Sequence, residues 1–241
     1  MQERQRPAVH RGDPEVSDVD QRPSEEQQGG LPASVADLRA AFERFDEAEA
    51  QRAFDRVLAE VQLETLLEAV VLRYLHELGM RWERFEIGVA QEHFASEILR
   101  ARLLALARGW SSGDGPQAVL ACPPAERHDI GSIAFGLALR EHGWRIHFLG
   151  ADVPVPETEK TATTLGADLI VFSGAMPHTL YSVIAELLQL GKEHRVAVGG
   201  AGARAFSAAG ERLIVLDRGA VEEAKRVAGL LGPPRSGPAP Q

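Results

Sequence analysis

The densest chemistry in the chain lies in one short loop, Glu126-Arg127-His128-Asp129-Ile130-Gly131. It follows the apolar run Ala118-Val119-Leu120-Ala121 and leads into a helix-forming stretch that begins near Ser132. Histidine is a ready metal ligand, and a carboxylate two residues before it can accept a hydrogen bond from the second imidazole nitrogen. That bond fixes the tautomer and raises the basicity of the nitrogen left for a metal. Gly131 lets the backbone pass close to a large flat ligand. The apolar run puts the loop at the carboxyl edge of a strand, where open α/β sheets bind their ligands.

The elements that must position this loop follow from the pattern around it. Short apolar runs at Ala118 to Ala121, Arg145 to Leu149, Leu169 to Phe172, Val196 to Val198 and Leu213 to Leu216 read as five strands. Amphipathic stretches at about Ile130 to His142, Glu157 to Leu165, Leu180 to Leu190 and Ala220 to Leu231 alternate with them as helices. Strands alternating with helices imply a parallel sheet with right-handed crossovers, a flavodoxin-like or Rossmann-like α/β domain over residues 113–232.

Before it, residues 31–112 are helical in pattern. Ser34-Val35-Ala36-Asp37 resembles a capping box ahead of Leu38, Ala41 and Phe42. Phe54, Val57, Leu58 and Val61 mark a second helix, Leu66 to Leu75 a third that Gly79 closes, and Ile98, Leu99, Leu103 and Leu106 the stripe of a fourth, from about Ile87 to Ala107. Four helices with short links predict a four-helix bundle. The break Ser111-Ser112-Gly113-Asp114-Gly115-Pro116 separates it from the sheet. Residues 1–30, without apolar periodicity, predict a disordered tail, and the Pro- and Gly-rich residues 233–241 a flexible one.

Composition excludes several classes. A chain of 241 residues with 44% hydrophobic and 25% charged residues can bury a full core, and a net charge of -9 opposes a phosphate-binding surface, so no direct DNA binding is expected. The lone Cys122, at a strand end, reads as a buried structural thiol in a reducing, cytoplasmic setting. No stretch has the length of a membrane span, so no membrane role is expected. A receiver domain would need an aspartate where Phe172-Ser173-Gly174 ends the third strand. A dinucleotide fold would need a glycine-rich turn where Pro123-Pro124-Ala125 stands. The other strand-end loops, Gly150-Ala151-Asp152-Val153-Pro154, Ser173-Gly174-Ala175 and Gly199-Gly200-Ala201-Gly202, are small and suggest a deep slot with Ser173 and backbone amides as polar anchors.

Taken together, Glu126-x-His128-x-x-Gly131, Ser173-x-Ala175 and Gly199-Gly200 resemble the cobalamin-binding signature of the methionine synthase type. The resemblance implies that His128 is the lower cobalt ligand and that the nucleotide tail of the cofactor enters the slot past Ser173, Gly174, Ala175, Gly199 and Gly200, with Arg127, Asp129, Ile130, Gly131, Asp152 and Val153 around it. Glu126 stands where many members have Asp, and Ala175 where many have Leu.

A second pattern, Trp82 followed after nine residues by Glu92-His93, resembles the light-sensing regulators of the CarH/LitR type. By that resemblance Trp82 and Glu92 line the pocket of the adenosyl group of adenosylcobalamin. His93 becomes the upper cobalt ligand after light cleaves the cobalt to carbon bond, the helical bundle capping the upper face of the corrin then shifts, and a dark homo-oligomer rearranges. Those regulators carry a DNA-binding domain, which the tail of this chain has no room for, so the expected output is a protein effector or the oligomeric change itself. Stand-alone antirepressor-like sensors and the photocobilins, which add a bilin such as biliverdin, are similar in this respect; any bilin here is expected to be held noncovalently. The rival expectation is a corrinoid methyl carrier of a methyltransferase system, which pairs the same two parts.

Overall fold

A computed structural model describes residues 26–204, 206 and 213–231. The tails expected at residues 1–25 and 233–241 lie outside the described residues. Four helical rods come first: α1 (Glu26–Glu43), α2 (Glu47–Glu60), a third rod, and α5 (Val89–Leu106). The third rod begins as α3 (Leu63–Thr65), widens into a π-helical stretch at Leu66–Leu72 and continues as α4 (Arg73–Glu83). α2 shows why such sequences form rods: Ala50, Ala53, Phe54 and Val57 share one buried stripe, and Asp46 caps the start by accepting the Glu49 N–H at 2.9 Å.

Three local expectations are corrected. The first helix begins at Glu26, so residues 26–30 of the expected tail are helical. Ser34 therefore lies inside a helix whose amides already have partners, and its hydroxyl donates to Glu60 Oε1 of α2 at 2.9 Å instead of capping. Gly79 does not close the third rod, which runs on to Glu83, because one glycine costs a helix only about 1 kcal/mol.

The first and third rods are stopped by phenylalanines in the left-handed region, Phe45 at φ 56° and Phe85 at φ 60°. In each case two amides bond back into the last turn: Phe45 to Phe42 and Asp46 to Ala41, Phe85 to Trp82 and Glu86 to Arg81. This is the Schellman arrangement, in which glycine usually holds the left-handed position. Phe85 is 94% exposed, so it gains little burial for that conformation. Phe85→Gly should raise stability by about 1 kcal/mol, read as a higher Tm without loss of helix signal.

Five strands follow: β1 (Gln117–Ala121), β2 (Arg145–Gly150), β3 (Leu169–Ser173), β4 (Val196–Gly199) and β5 (Ile214–Leu216). All neighbours are parallel, in the order β2-β1-β3-β4-β5, the flavodoxin-like arrangement. β1 shows the two-sided burial: Ala118 and Leu120 enter one core, Val119 and Ala121 the other. On the first side lie α6 (Ile130–Glu141) and α10 (Ala220–Leu231), whose buried side chains are continuous with those of the bundle, from Phe42 and Leu99 to Leu120 and Ala224. On the other lie α7 (Val155–Leu165), α8 (Pro177–Ser182) and α9 (Ile184–Leu190). The single helix expected from Leu180 to Leu190 is thus two, broken at Val183.

The segment between bundle and sheet is stitched down, with the Trp110 carbonyl accepting the Ile146 N–H at 2.8 Å. Because the chain turns from β1 outward to β2 and then back across to β3, the loops after β1 and β3 diverge and leave a crevice. Among the described residues no helix is long and apolar enough to cross a membrane.

Candidate functional site

The crevice is built around Glu126. A tight turn buries it: the Glu126 N–H bonds the Pro123 carbonyl at 3.0 Å, and Asp152 Oδ1 takes the Ala125 N–H at 2.8 Å. The Asp152 and Val153 amides in turn bond the carbonyls of Glu126 and Cys122, both at 3.0 Å. Asp152 and Val153 therefore brace the loop through these bonds.

Inside that turn Glu126 is fully buried and uses both oxygens. Oε1 accepts the His128 backbone N–H at 2.9 Å and faces His128 Nδ1 at 2.7 Å. Oε2 accepts the Met176 N–H at 2.9 Å and the Thr179 hydroxyl at 3.0 Å. Burial alone would push this carboxyl up, but the four hydrogen bonds, that of the His128 ring foremost, outweigh it and hold the group at about 2. The carboxylate raises the His128 pKa through the same bond. With Nδ1–H committed to Glu126, the other ring nitrogen carries the lone pair, and the ring, 62% exposed, presents it to the crevice mouth. Thr179 was not anticipated: a threonine 53 residues from its carboxylate carries no local signal, and only the adjacency of β1 and β3 brings the two together.

Asp129 is almost fully buried and faces away from the crevice into a two-pronged pair with Arg100 of α5, Nε and Nη2 lying at 2.8–3.0 Å from its oxygens. This fork ties the bundle to the loop that carries His128. At about 100° per residue, Val89, Glu92, His93, Ser96 and Arg100 fall within one arc of about 100° on α5. The negative charge of Glu92 is near enough to raise the His128 pKa further. His93 is 70% exposed, and its Nδ1 contacts Glu92 Oε2, which leaves Nε2 outward. Trp82, in the last turn of α4, is 48% exposed. Arg127 points to solvent and Ile130 is half-buried against the bundle-side core.

From His128 a cavity of about 270 Å³ runs past Gly131, Ser173, Gly174, Ala175, Gly199 and Gly200. The expected slot residues thus line one space. Gly200, at φ 92°, is obligatory: a Cβ there would fall 2.2 Å from the Gly174 carbonyl oxygen. At Gly131 a Cβ would meet nothing within 4 Å, so the wall facing the crevice is open. An oriented imidazole at the mouth and a narrow channel walled by small residues fit a cobalt corrinoid with a displaced nucleotide tail.

Cys122 lies beside this channel, fully buried, with Sγ 3.5 Å from Ser173 Oγ. Burial pushes its thiol up to about 12 against the weaker effect of the Ser173 bond. The native protein should therefore resist a thiol reagent at pH 8 and react at once in denaturant, which absorbance of the released chromophore measures.

A five-stranded parallel sheet, a carboxylate-oriented histidine at its switch point and a small-residue slot define a corrinoid-binding protein. Two family models, each described as a B12 binding domain, match residues 35–107 and 116–228, and the chain belongs to the cobalamin-binding proteins. It is 33% identical over 196 residues to the HTH-type transcriptional repressor CarH of Myxococcus xanthus, covering 80% of this chain and 66% of that one. It is 32% identical to the repressor CarA of the same organism, covering 65% and 54%. The chain thus spans just under two thirds of the first relative's length and about half of the second's. A dimethylamine corrinoid protein of Methanosarcina barkeri is 26% identical over 66% of this chain and 78% of its own. The solved structure of the M. barkeri monomethylamine corrinoid protein superposes with a TM-score of 0.66 at 20% identity, covering 80% of this chain and 96% of that one, and so shares the fold.

Proposed function

We propose that this chain is a light-sensing regulator that binds adenosylcobalamin between bundle and sheet. The observation that carries the reading is the α5 face: Glu92, near enough for its charge to act on His128, shares one arc with His93 and with Arg100, whose fork to Asp129 ties this helix to the His128 loop. The likeness to CarH supports it. In this reading His128 would ligate cobalt, its ring oriented by Glu126, which Thr179 holds in turn, and the slot would take the nucleotide tail. Bound adenosylcobalamin supplies a cobalt–carbon bond that visible light breaks. Trp82 and Glu92 would pack against the adenosyl group, and His93, once released from Glu92, would offer the cobalt a second imidazole after that group is lost. The bundle then moves relative to the sheet and alters a homo-oligomer or a protein effector's docking surface, a bistable interface switched by one packing element. Direct DNA binding is not part of this reading, and the unpaired Cys122 suits a cytoplasmic setting.

The test is to load the protein with adenosylcobalamin in the dark, illuminate with green light, and record spectrum and size. The expected result is a stable lit spectrum with a change in size, and a different endpoint for His93→Ala with dark loading intact. An identical lit endpoint in that variant would remove His93 from the mechanism. The similarity to dimethylamine corrinoid proteins favours one second reading, a methyl carrier, which predicts methylation of the bound corrinoid by a methyltransferase partner and no stable photoproduct. A noncovalent bilin is tested in the same loading by adding biliverdin, which must give an absorbance band that cobalamin alone lacks.

A further inference from the structure

Two buried side-chain atoms on the slot's own residues have no hydrogen-bond partner: Ser132 Oγ on the first turn of α6 and Glu223 Oε1 on the first turn of α10. Both residues are 1% exposed. Glu223 is held in place by its other oxygen, which accepts Arg226 Nε at 2.6 Å, while Arg226 also donates to the Val215 carbonyl. One carboxylate oxygen is thus anchored and the other left over. Buried polar groups are nearly always satisfied, so two unpartnered ones on facing helices around one cavity call for a shared external partner.

On the reading that this slot receives the nucleotide tail of the cofactor, we propose that Ser132 and Glu223 form a polar subsite that recognises a hydrogen-bond donor on that tail. A carboxylate only accepts, so its partner must offer an O–H or N–H, while the serine hydroxyl can donate or accept beside it. The phosphodiester of the tail offers only acceptor oxygens, which a carboxylate cannot hydrogen-bond, so the subsite serves the groups on either side of it. The donor is a ribose hydroxyl, present in every complete corrinoid, or an amino group of the lower base, present in adenine and absent from dimethylbenzimidazole. Val171, Phe135 and Leu216 give the same cavity apolar walls, and its other polar side chains are Ser173, Arg218 and, at the mouth, His128.

The test is equilibrium titration of the full chain, followed by absorbance, with cobalamin, with the adenine-based corrinoid pseudocobalamin, and with cobinamide, which has no nucleotide. Glu223→Leu should weaken binding of nucleotide-bearing corrinoids about tenfold or more, Ser132→Ala by several-fold, and Glu223→Gln, which keeps an acceptor oxygen, much less. Cobinamide affinity should not change. Losses shared by cobalamin and pseudocobalamin identify the ribose hydroxyl as the donor; a loss confined to pseudocobalamin identifies the base amino group. Equal losses for cobinamide, or none for any corrinoid, would overturn the subsite. Should Glu223→Leu lack a cooperative melt, Ser132→Ala carries the test alone. Wild-type protein binding cobinamide as tightly as cobalamin would instead overturn the slot reading, and the subsite with it.

Discussion

Glu126→Ala should lower folding stability by about 3 to 5 kcal/mol and cobalamin affinity by about 10- to 100-fold. The stability loss follows from what the carboxylate satisfies. Without it the backbone amides of His128 and Met176 and the hydroxyl of Thr179 lose their acceptor. They belong to the loops after β1 and β3, so the crevice loses the tie between its walls. The affinity loss follows from the freed imidazole, which then adopts either tautomer and rotates. Glu126→Gln separates the effects: its amide oxygen can still accept on one side, so much of the stability should return while the His128 orientation stays impaired. Thermal melts and absorbance titrations measure the two.

The same residue sets a dependence on pH. Its pKa falls from an ordinary 4.5 to about 2 on folding, so its contribution is full above about 4.5 and is lost as pH drops toward 2. Wild-type protein should lose stability over that range more steeply than Glu126→Gln, and parallel curves would contradict the assignment.

Arg100→Ala is the second large effect, with an expected loss of about 2 to 4 kcal/mol. Asp129 is buried, so removing the guanidinium leaves a charge without a partner inside the protein. The loss stays below that of a fully buried pair because Arg100 keeps about a third of its surface in water. Lysine should recover little, since a single ammonium cannot reproduce the two-pronged contact. The functional consequence is more specific. The fork connects the helix bearing Glu92 and His93 to the loop bearing His128; Asp129→Asn, which leaves the unpaired charge on the partly exposed Arg100 and not on a fully buried group, should loosen that connection while cobalamin binding stays near normal. If the chain is the light sensor proposed above, the same variant should also slow its conversion under illumination. Hydrogen exchange of α5 amides, faster in the variant than in wild type, would report the loosened contact.

Much of this was legible in the chain. Periodicity fixed the alternation of strands and helices, because side chains buried on a strand or a helix must recur at the spacing those backbones impose. The segments Glu126 to Gly131, Ser173 to Ala175 and Gly199-Gly200 pointed to cobalamin by their resemblance to a known signature, and an imidazole beside a carboxylate and residues without bulk suit such a ligand. Helix ends were less legible: Ser34 and Gly79 have the residue types of a start and a stop, but neither is one, and the stops fall to Phe45 and Phe85 through backbone bonds that no side chain announces.

What the sequence by itself determined, then, is the His128 loop with its carboxylate, set by residues within a few positions of one another, and the class of ligand, read from that loop together with the small residues at Ser173 to Ala175 and Gly199-Gly200. Only the tertiary structure decided that Thr179 completes the hold on Glu126, that Asp129 is committed to Arg100, that Asp152 braces the turn, and that Ser132 and Glu223 share the slot, each with one oxygen unpaired. These partners lie on different elements, and the parallel order β2-β1-β3-β4-β5, with α5, α6 and α10 on one face, is what brings them within hydrogen-bond reach.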